Sequence, residues 1–358
     1  MTEQKRSQTT PRHGKNSVHS RSRRQKRRHQ RKRRRLFLWC LLVLFIILGF
    51  RNFLEITGFS LPFHSTRGEL SSYLDDLYSP QTVLVDAGTG QVLGSRNENQ
   101  RVYPASLTKI MTVLVGLEHI EDLNGTASVP ADIYQDLYEE GASMAGFQPG
   151  ESVTYRDLLY GALLPSGAEC CLTLAQEIAG DEEAFASMMN EKADELGMSR
   201  THFTNCTGLQ NNRHYSTAGD IAKLLVYALK NPDFRQIFTT NTYTASPTVS
   251  HPDGLTFVST LSQSLPDPSV TGGKILGGKT GYTEDAGLCL ASLASINGRE
   301  YILVTTGAPG DHETEPYHVL DAVKVANVKH FFTLLGKMFF TPYGKEFFTY
   351  SGKQIFTS

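Results

Sequence analysis

Apolar residues recur at helical spacing in several stretches of the chain after residue 100. The first of these stretches contains Ile110, Val113, Leu114 and Leu117. Pro104 disfavours helical geometry for the residue before it, so the first helix is predicted to begin near Ser106. The same spacing predicts further helices over residues 155–164, 168–179, 183–196, 218–229 and 317–340. The helix at 218–229 is expected to end before Asn231 and Pro232, which favour a turn.

Segments rich in threonine, valine and glycine at both ends of this helical region predict β-strands. Residues 82–93 fit a β-hairpin around a turn-rich centre, and residues 287–306 fit a second hairpin joined across Asn297-Gly298. Between them, residues 129–200 are mostly helical in pattern. Strands at both ends predict an α/β fold, in which helices flank an antiparallel sheet and an all-helical lobe is inserted.

The charge distribution separates the N-terminal residues from this body. Residues 1–35 contain fifteen of the 35 lysines and arginines, only one of the 36 acidic residues and almost no apolar residues. Such a segment cannot bury a core, so it is predicted to be disordered. The apolar run that follows, extended to residue 56, is long enough to cross a membrane. Positive charge before that run keeps the N-terminus in the cytoplasm.

These features predict a single transmembrane helix that anchors an extracellular body to the cell membrane. A cleaved signal peptide is the competing interpretation, but the basic segment is long for one and no clear small-x-small cleavage site follows. Nucleic-acid binding by the basic segment is a weaker alternative, and no nucleic-acid partner is expected. The predicted organisation is a basic tail at 1–35, the anchor at 36–56, a linker at 57–70, a folded domain at 71–345 and a C-terminal tail at 346–358.

Cysteine and histidine spacing gives no sign of a metal site or a dense disulfide framework. Four cysteines lie outside the predicted anchor, and two of them, Cys170 and Cys171, are adjacent on a predicted helix. They are therefore expected to act as small buried apolar residues. The sequence contains no His-Glu-x-x-His motif and no pair of Cys-x-x-Cys motifs, so no metal or other cofactor is expected.

Ser106 and Lys109 stand three residues apart at the start of the first predicted helix, so their side chains share one helix face. A serine hydroxyl is a weak nucleophile until a neighbouring base removes its proton. The helix N-terminus adds backbone N–H groups beside the same hydroxyl. A Ser-x-x-Lys pair also fits an N-cap serine beside an exposed lysine, so the rest of the chain must decide between the two interpretations.

Two further motifs follow in order: residues 165–168 in a turn before a helix, and residues 277–283 before the second hairpin. With the stretch 103–112, they resemble the serine D-Ala-D-Ala carboxypeptidases. These are the low-molecular-mass penicillin-binding proteins of the penicillin-recognising transpeptidase fold, which β-lactamases share. Residues 214–217 also match that family, and the resemblance covers residues 70–330. It implies an enzyme that removes the terminal D-alanine from peptidoglycan stem pentapeptides, and that β-lactams inhibit covalently.

The resemblance also implies roles for individual residues. Ser106 is expected to attack the carbonyl between the two D-alanines, and Lys109 to take its proton. Ser166 is expected to pass a proton to the leaving nitrogen. As structural alternatives, Ser166 caps a helix and Tyr282 simply packs.

The third motif is expected to bind the substrate. Lys279 and Thr280 would hold its terminal carboxylate, and Gly281 would let the strand edge approach its backbone. The backbone N–H groups of Ser106 and Tyr282 would form the oxyanion hole. A solvated turn is the structural alternative for this motif.

Ala168 departs from the family pattern, in which the second motif is usually Ser-x-Asn. Alanine cannot replace the hydrogen bonds that the asparagine side chain makes to the lysine of the first motif and to the substrate. Glu169 is adjacent and is expected to compensate in part. The departure predicts an altered preference among substrates and β-lactams rather than an inactive enzyme.

Two rival functions follow from the same motifs. A class A-like β-lactamase shares them, but it needs a Glu-x-x-x-Asn loop for deacylation, and the sequence has no convincing counterpart. The second rival is a catalytically weak module that binds peptidoglycan, which Ala168 would explain. The presence of Ser106, Lys109, Ser166 and Lys279 together argues against it.

Overall fold

A computed structural model of the protein describes residues 72–328. The predicted basic tail, membrane anchor, linker and C-terminal tail therefore lie outside the described residues. The strands are β1 (Gln81–Asp86), β2 (Val92–Arg96), β3 (Thr126–Ser128), β4 (Ser152–Thr154), β5 (Thr242–Thr244), β6 (Thr256–Val258), β7 (Ser269–Val270), β8 (Gly273–Thr283), β9 (Gly287–Ile296) and β10 (Arg299–Ala308). The α-helices are α1 (Lys109–His119), α2 (Ile133–Glu139), α3 (Tyr155–Leu163), α4 (Ala168–Ala179), α5 (Glu182–Glu195), α6 (Ala218–Ala228), α7 (Pro232–Phe238), α8 (Thr260–Ser264) and α9 (Tyr317–Ala326).

A six-stranded antiparallel sheet in the order β2-β1-β10-β9-β8-β7 forms the centre of the fold. Both predicted hairpins are present, as β1–β2 and β9–β10. Asn297 and Gly298 join β9 to β10 with φ values of 51° and 77°, as a two-residue turn of this kind requires. β1 pairs with β10, from Gln81 opposite Thr306 to Asp86 opposite Tyr301, so strands from the two ends of the chain lie side by side.

The central strands are buried on both faces. Val83 and Val304 belong to a large core between the sheet and the helices inserted after β2. Their neighbours Leu84 and Leu303 belong to a smaller core on the opposite face, where α9 packs against β9 and β10. Because side chains alternate along a strand, each central strand contributes to both cores. The predicted α/β fold, with helices flanking an antiparallel sheet and an inserted helical lobe, is confirmed.

Local capping explains where the helices of the lobe begin and end. The Thr154 side chain accepts a hydrogen bond from the Asp157 N–H at the start of α3, and such a cap contributes about 1 kcal/mol. Gly180 ends α4 at a φ of 88°, in the left-handed region that glycine adopts without strain. These helices match the predicted ones within a residue.

Asparagine residues follow the ends of two helices. α6 ends at Ala228, before Asn231 and Pro232 as predicted, but α7 was not predicted; Asn231 starts it by accepting from the N–H groups of Asp233 and Phe234. The last described helix ends at Ala326, and the part of the predicted helix after residue 328 lies outside the described residues. There the Asn327 side chain donates to the Val323 carbonyl and competes with the helical pattern. Of the helices within residues 72–328, none has the length and apolar character that a membrane span requires.

Candidate active site

The turn that carries Ser106 departs from the predicted helix start. Ala105 to Thr108 form a 3₁₀ turn, and the α-helix begins only at Lys109. Ala105 has a φ of +47°, which is unusual for a residue with a side chain. Backbone conformations of this kind cost roughly 1–3 kcal/mol and persist where the surrounding structure holds them.

Three side chains from the first two motifs meet at this turn. The Lys109 amine donates to the Ser106 Oγ at 3.1 Å, and the Ser166 hydroxyl donates to the same oxygen at 3.0 Å. Ser166 lies in the turn before α4 with a φ of +70°. Its left-handed conformation is the second strained position at the site. The structure therefore brings Lys109 and Ser166 each within hydrogen-bonding distance of the Ser106 hydroxyl.

Two glycines let other segments close on the Ser106 turn. A Cβ atom at Gly208 would lie 1.9 Å from the Ala105 carbonyl oxygen, and one at Gly281 would lie 3.0 Å from the Ser106 nitrogen. Neither position has space for a side chain without a shift of the backbone. Gly281 thus allows β8 to pack directly against the turn, in addition to leaving the strand edge open as expected from the sequence.

Burial shifts the pKa values of the two lysines at the site. Burial lowers the pKa of Lys109, which donates to the Thr207 carbonyl at 2.6 Å. Burial and then the charge of Lys109 hold the pKa of Lys279 well below its ordinary value. Removing an ammonium from water disfavours its charged form, and two nearby lysines reinforce the effect. A neutral amine beside a serine hydroxyl can accept its proton.

The third motif lies on the edge of β8 beside Ser106. Thr280, Gly281 and Tyr282 line the cleft, whereas Lys279 is fully buried and donates to the Thr280 carbonyl at 2.7 Å. The Tyr282 ring packs edge-on against His312, with ring centroids 4.7 Å apart. Of the four residues predicted to bind substrate, three therefore reach the cleft surface and one lies beneath it.

The cleft has a volume of about 500 Å³ and runs from Ser106 past the edge of β8 to the start of α9. Hydroxyl groups dominate its lining, and neither lysine nor arginine is found among the described residues that form it. Its lining residues include Ser106, Ser143, Ser166, Thr260, Gln263, Ser264, Thr280, Tyr282, His312 and His318.

Residues 204–214 help to hold the Ser106 turn in place. The spacing of residues in the sequence did not predict this role. Burial lowers the pKa of His214 to about 4, so this ring is neutral at pH 7. Its Nδ1 accepts from the Thr204 N–H at 3.1 Å, which leaves Nε2 to donate to the Thr108 hydroxyl at 2.7 Å. The match of residues 214–217 to the family was the only sequence signal for this support.

The structure changes the interpretation of Ala168 and Glu169. Ala168 is buried and is not among the residues that line the cleft. The Glu169 carboxylate is also buried, and its Oε1 accepts from the N–H groups of Ala145 and Gly146 at 2.7 and 2.8 Å. Glu169 therefore holds the loop that carries Ser143 against α4. The carboxylate makes no hydrogen bond to Lys109 among those of the described residues, but its charge acts on that amine and opposes the lowering of the Lys109 pKa by burial.

Replacing Glu169 by alanine is expected to lower the free energy of unfolding by roughly 1–3 kcal/mol, since it leaves the partly buried N–H groups of Ala145 and Gly146 without their acceptor. We expect acylation by penicillin to slow as well, because the loop forms one wall of the cleft. Glu177→Ala, on the exposed part of the same helix, is the control. Denaturant unfolding and single-turnover acylation would measure both effects, and equal values for the two variants would contradict the assignment.

Comparison with known proteins agrees with this geometry. The family model of the D-alanyl-D-alanine carboxypeptidases matches residues 69–310. The D-alanyl-D-alanine carboxypeptidase DacF of Bacillus subtilis is 34% identical over 67% of this chain and 60% of its own length. The D-alanyl-D-alanine carboxypeptidase of Streptomyces sp. strain K15 is 33% identical over 67% of this chain and 83% of its own length.

Solved structures show the same similarity. The crystal structure of the Streptomyces K15 DD-transpeptidase has a TM-score of 0.62 at 29% identity, over 70% of this chain and 95% of that one. A D-alanyl-D-alanine carboxypeptidase structure from Mycobacterium tuberculosis has a TM-score of 0.61 at 29% identity, over 75% and 94%. By sequence and fold, this chain belongs to the D-alanyl-D-alanine carboxypeptidase family of peptidases.

Proposed function

We propose that this protein is a serine D,D-carboxypeptidase that removes the terminal D-alanine from peptidoglycan stem pentapeptides. The observation that carries the proposal is the Ser106 hydroxyl, which lies in an open cleft between the amine of Lys109 and the hydroxyl of Ser166. Membership of the family supports the same activity and the same substrate. Penicillin would acylate the same serine, because its strained amide resembles the D-Ala-D-Ala bond.

Acylation is the first half of the reaction. The lone pair of neutral Lys109 accepts the Ser106 proton while Oγ bonds to the carbonyl carbon. The N–H groups of Ser106 and Tyr282 are the proposed donors to the developing oxyanion. The carbon–nitrogen bond then breaks as the Lys109 ammonium returns its proton through the Ser166 hydroxyl, which gives its own hydrogen to the leaving nitrogen of D-alanine and leaves Lys109 neutral. A serine ester remains.

Deacylation reverses the proton path. Water attacks the ester, Lys109 accepts a water proton, and the proton returns to the Ser106 oxygen as the tetrapeptide leaves. In the bound substrate, the Thr280 hydroxyl donates to the terminal carboxylate. The carboxylate in turn favours the charged form of Lys279, whose pKa burial otherwise lowers.

Mass spectrometry of purified muropeptides tests the activity. Incubation of pentapeptide with the folded protein is expected to yield tetrapeptide and one equivalent of D-alanine. Loss of cross-linked dimers instead would indicate an endopeptidase, and rapid turnover of nitrocefin would indicate a β-lactamase. If penicillin labelled no residue and no D-alanine appeared, the proposed function would be wrong.

We further propose that residues 36–56 anchor the protein in the cell membrane, with the N-terminus in the cytoplasm and the peptidase domain outside. The basic segment before an apolar run supports this proposal. The full-length protein is then expected to stay in the membrane fraction after a high-salt wash. N-terminal sequencing that found the mature chain to begin beyond residue 50 would refute the anchor.

A further inference from the structure

Thr260 lies outside all three motifs, yet it contacts the residue that is proposed to hold the substrate carboxylate. Its Oγ1 is 2.6 Å from the Oγ1 of Thr280, and both hydroxyls line the cleft. Each side chain is partly exposed, so a ligand can reach the pair. In a contact between two hydroxyl groups, only one of the two hydrogens is used between them.

The position of Thr260 is fixed from two directions. Its N–H donates to the Leu164 carbonyl at 3.1 Å, two residues before Ser166. The next residue, Leu261, is buried against β8 at Gly278, where a Cβ atom would lie 2.7 Å from the Leu261 side chain. Thr260 therefore links the segment before Ser166 to the strand that carries Thr280.

This geometry decides which way the Thr280 hydroxyl can point. A carboxylate only accepts hydrogen bonds, so Thr280 must give it its single hydroxyl hydrogen. The 2.6 Å contact then requires Thr260 to be the donor to the Thr280 oxygen. A hydroxyl that accepts one hydrogen bond becomes a better donor in the next. Without the partner, the Thr280 hydroxyl would be free to rotate away from the ligand.

The lining of the cleft makes this orientation important. The described residues that form the cleft include neither lysine nor arginine, and the Lys279 amine is buried beneath the surface. Direct contact with a carboxylate at this end of the cleft therefore depends on polar donors such as the Thr280 hydroxyl rather than on a lysine or arginine. Their affinity depends on how well they are oriented before the ligand arrives.

We propose that Thr260 is a positioning residue for substrate recognition, which orients the Thr280 hydroxyl toward the terminal carboxylate of the peptide or the carboxylate of a β-lactam. The proposal rests on the proposed peptidase function. It adds a recognition role for α8, a helix that carries none of the three motifs.

Thr260→Val keeps the shape of the side chain and removes the hydroxyl. For a diacetylated Lys-D-Ala-D-Ala peptide, we expect KM to rise about tenfold with kcat changed less than about twofold, as for loss of uniform binding. The second readout compares acylation by a penicillin with acylation by its methyl ester, followed by the mass of the protein. The preference for the free acid should fall about tenfold in Thr260→Val.

Two matched variants separate recognition from structure. Thr260→Ser retains a hydroxyl and should keep the preference for the free acid. Ser262→Ala, on the same helix, removes a hydroxyl that donates to the Asn241 side chain and does not line the cleft. This variant should behave as wild type. If Thr260→Val does not fold, Thr260→Ala serves as the second variant without the hydroxyl.

The outcomes are distinguishable. If a folded variant without the Thr260 hydroxyl keeps the wild-type preference for acid over ester, the inference is overturned. An equal loss of rate with acid and ester also overturns it, since that indicates a structural effect alone. A wild-type protein that is neither acylated nor active on the peptide refutes the proposed function, and the inference with it.

Discussion

Ser106→Ala is expected to abolish covalent labelling by penicillin and to reduce D-alanine release by a factor on the order of 10⁴ or more. The hydroxyl of Ser106 lies between two polar groups, Lys109 at 3.1 Å and Ser166 at 3.0 Å. Without its oxygen, no ester can form at this position. The labelling is measured as a mass increase of the intact protein after incubation with penicillin.

The control for this variant is Ser187→Ala, which removes an exposed hydroxyl on α5 that bonds only to its own helix. It should be labelled at the wild-type rate. If Ser106→Ala still gained the mass of one penicillin, the nucleophile would be another residue. Peptide mapping of the labelled protein would then identify it.

Lys109→Ala is expected to slow acylation by a factor on the order of 10³, within the range for loss of a general base. The amine accepts a proton only when it is neutral, and burial lowers its pKa. Protonation at acidic pH removes the base, so the wild-type acylation rate should fall as the pH falls through the Lys109 pKa. In Lys109→Ala, this acid limb should disappear along with most of the rate.

Stopped-flow acylation over a range of pH measures both effects, and Lys230→Ala, an exposed lysine, serves as the control. Lys109→Ala can also affect folding, since the side chain is buried. The unfolding transition of each variant must therefore be recorded under the same conditions. An acid limb that persisted unchanged in Lys109→Ala would assign the titration to another group, and Lys279 would be the first to examine.

Local patterns in the sequence predicted most elements of the fold. The Asn297-Gly298 turn and the capping pair Thr154 and Asp157 act through neighbours in sequence, so their signals are strong. The end of α6 before Asn231 was predicted correctly, but α7, which Asn231 starts, was not, because the same residue types end one helix and begin the next. The end of α9 at Ala326 depends on the Asn327 side chain, which also accepts from the Thr271 N–H on a distant segment.

The arrangement of the site was harder to predict than its residues. Motif order identified Ser106, Lys109 and Ser166, but the positive φ values of Ala105 and Ser166 arise from packing across the domain. The neighbouring sequence could not predict the direction of the Glu169 side chain either, because its hydrogen-bond partners lie more than twenty residues earlier. Thr260 belongs to none of the motifs, and its inferred role depends on its contact with Thr280, which residue spacing does not predict.

The close packing of Gly208 and Gly281 against the Ser106 turn makes acylation a measure of folding. The nucleophile reaches its final geometry only when segments from residues 166, 208 and 281 have assembled around it. Partly folded chains lack those distant contacts and should not react. During refolding, the fraction of molecules that a brief pulse of penicillin acylates would therefore equal the fraction that has completed the native domain. This fraction should rise later than the helical circular-dichroism signal.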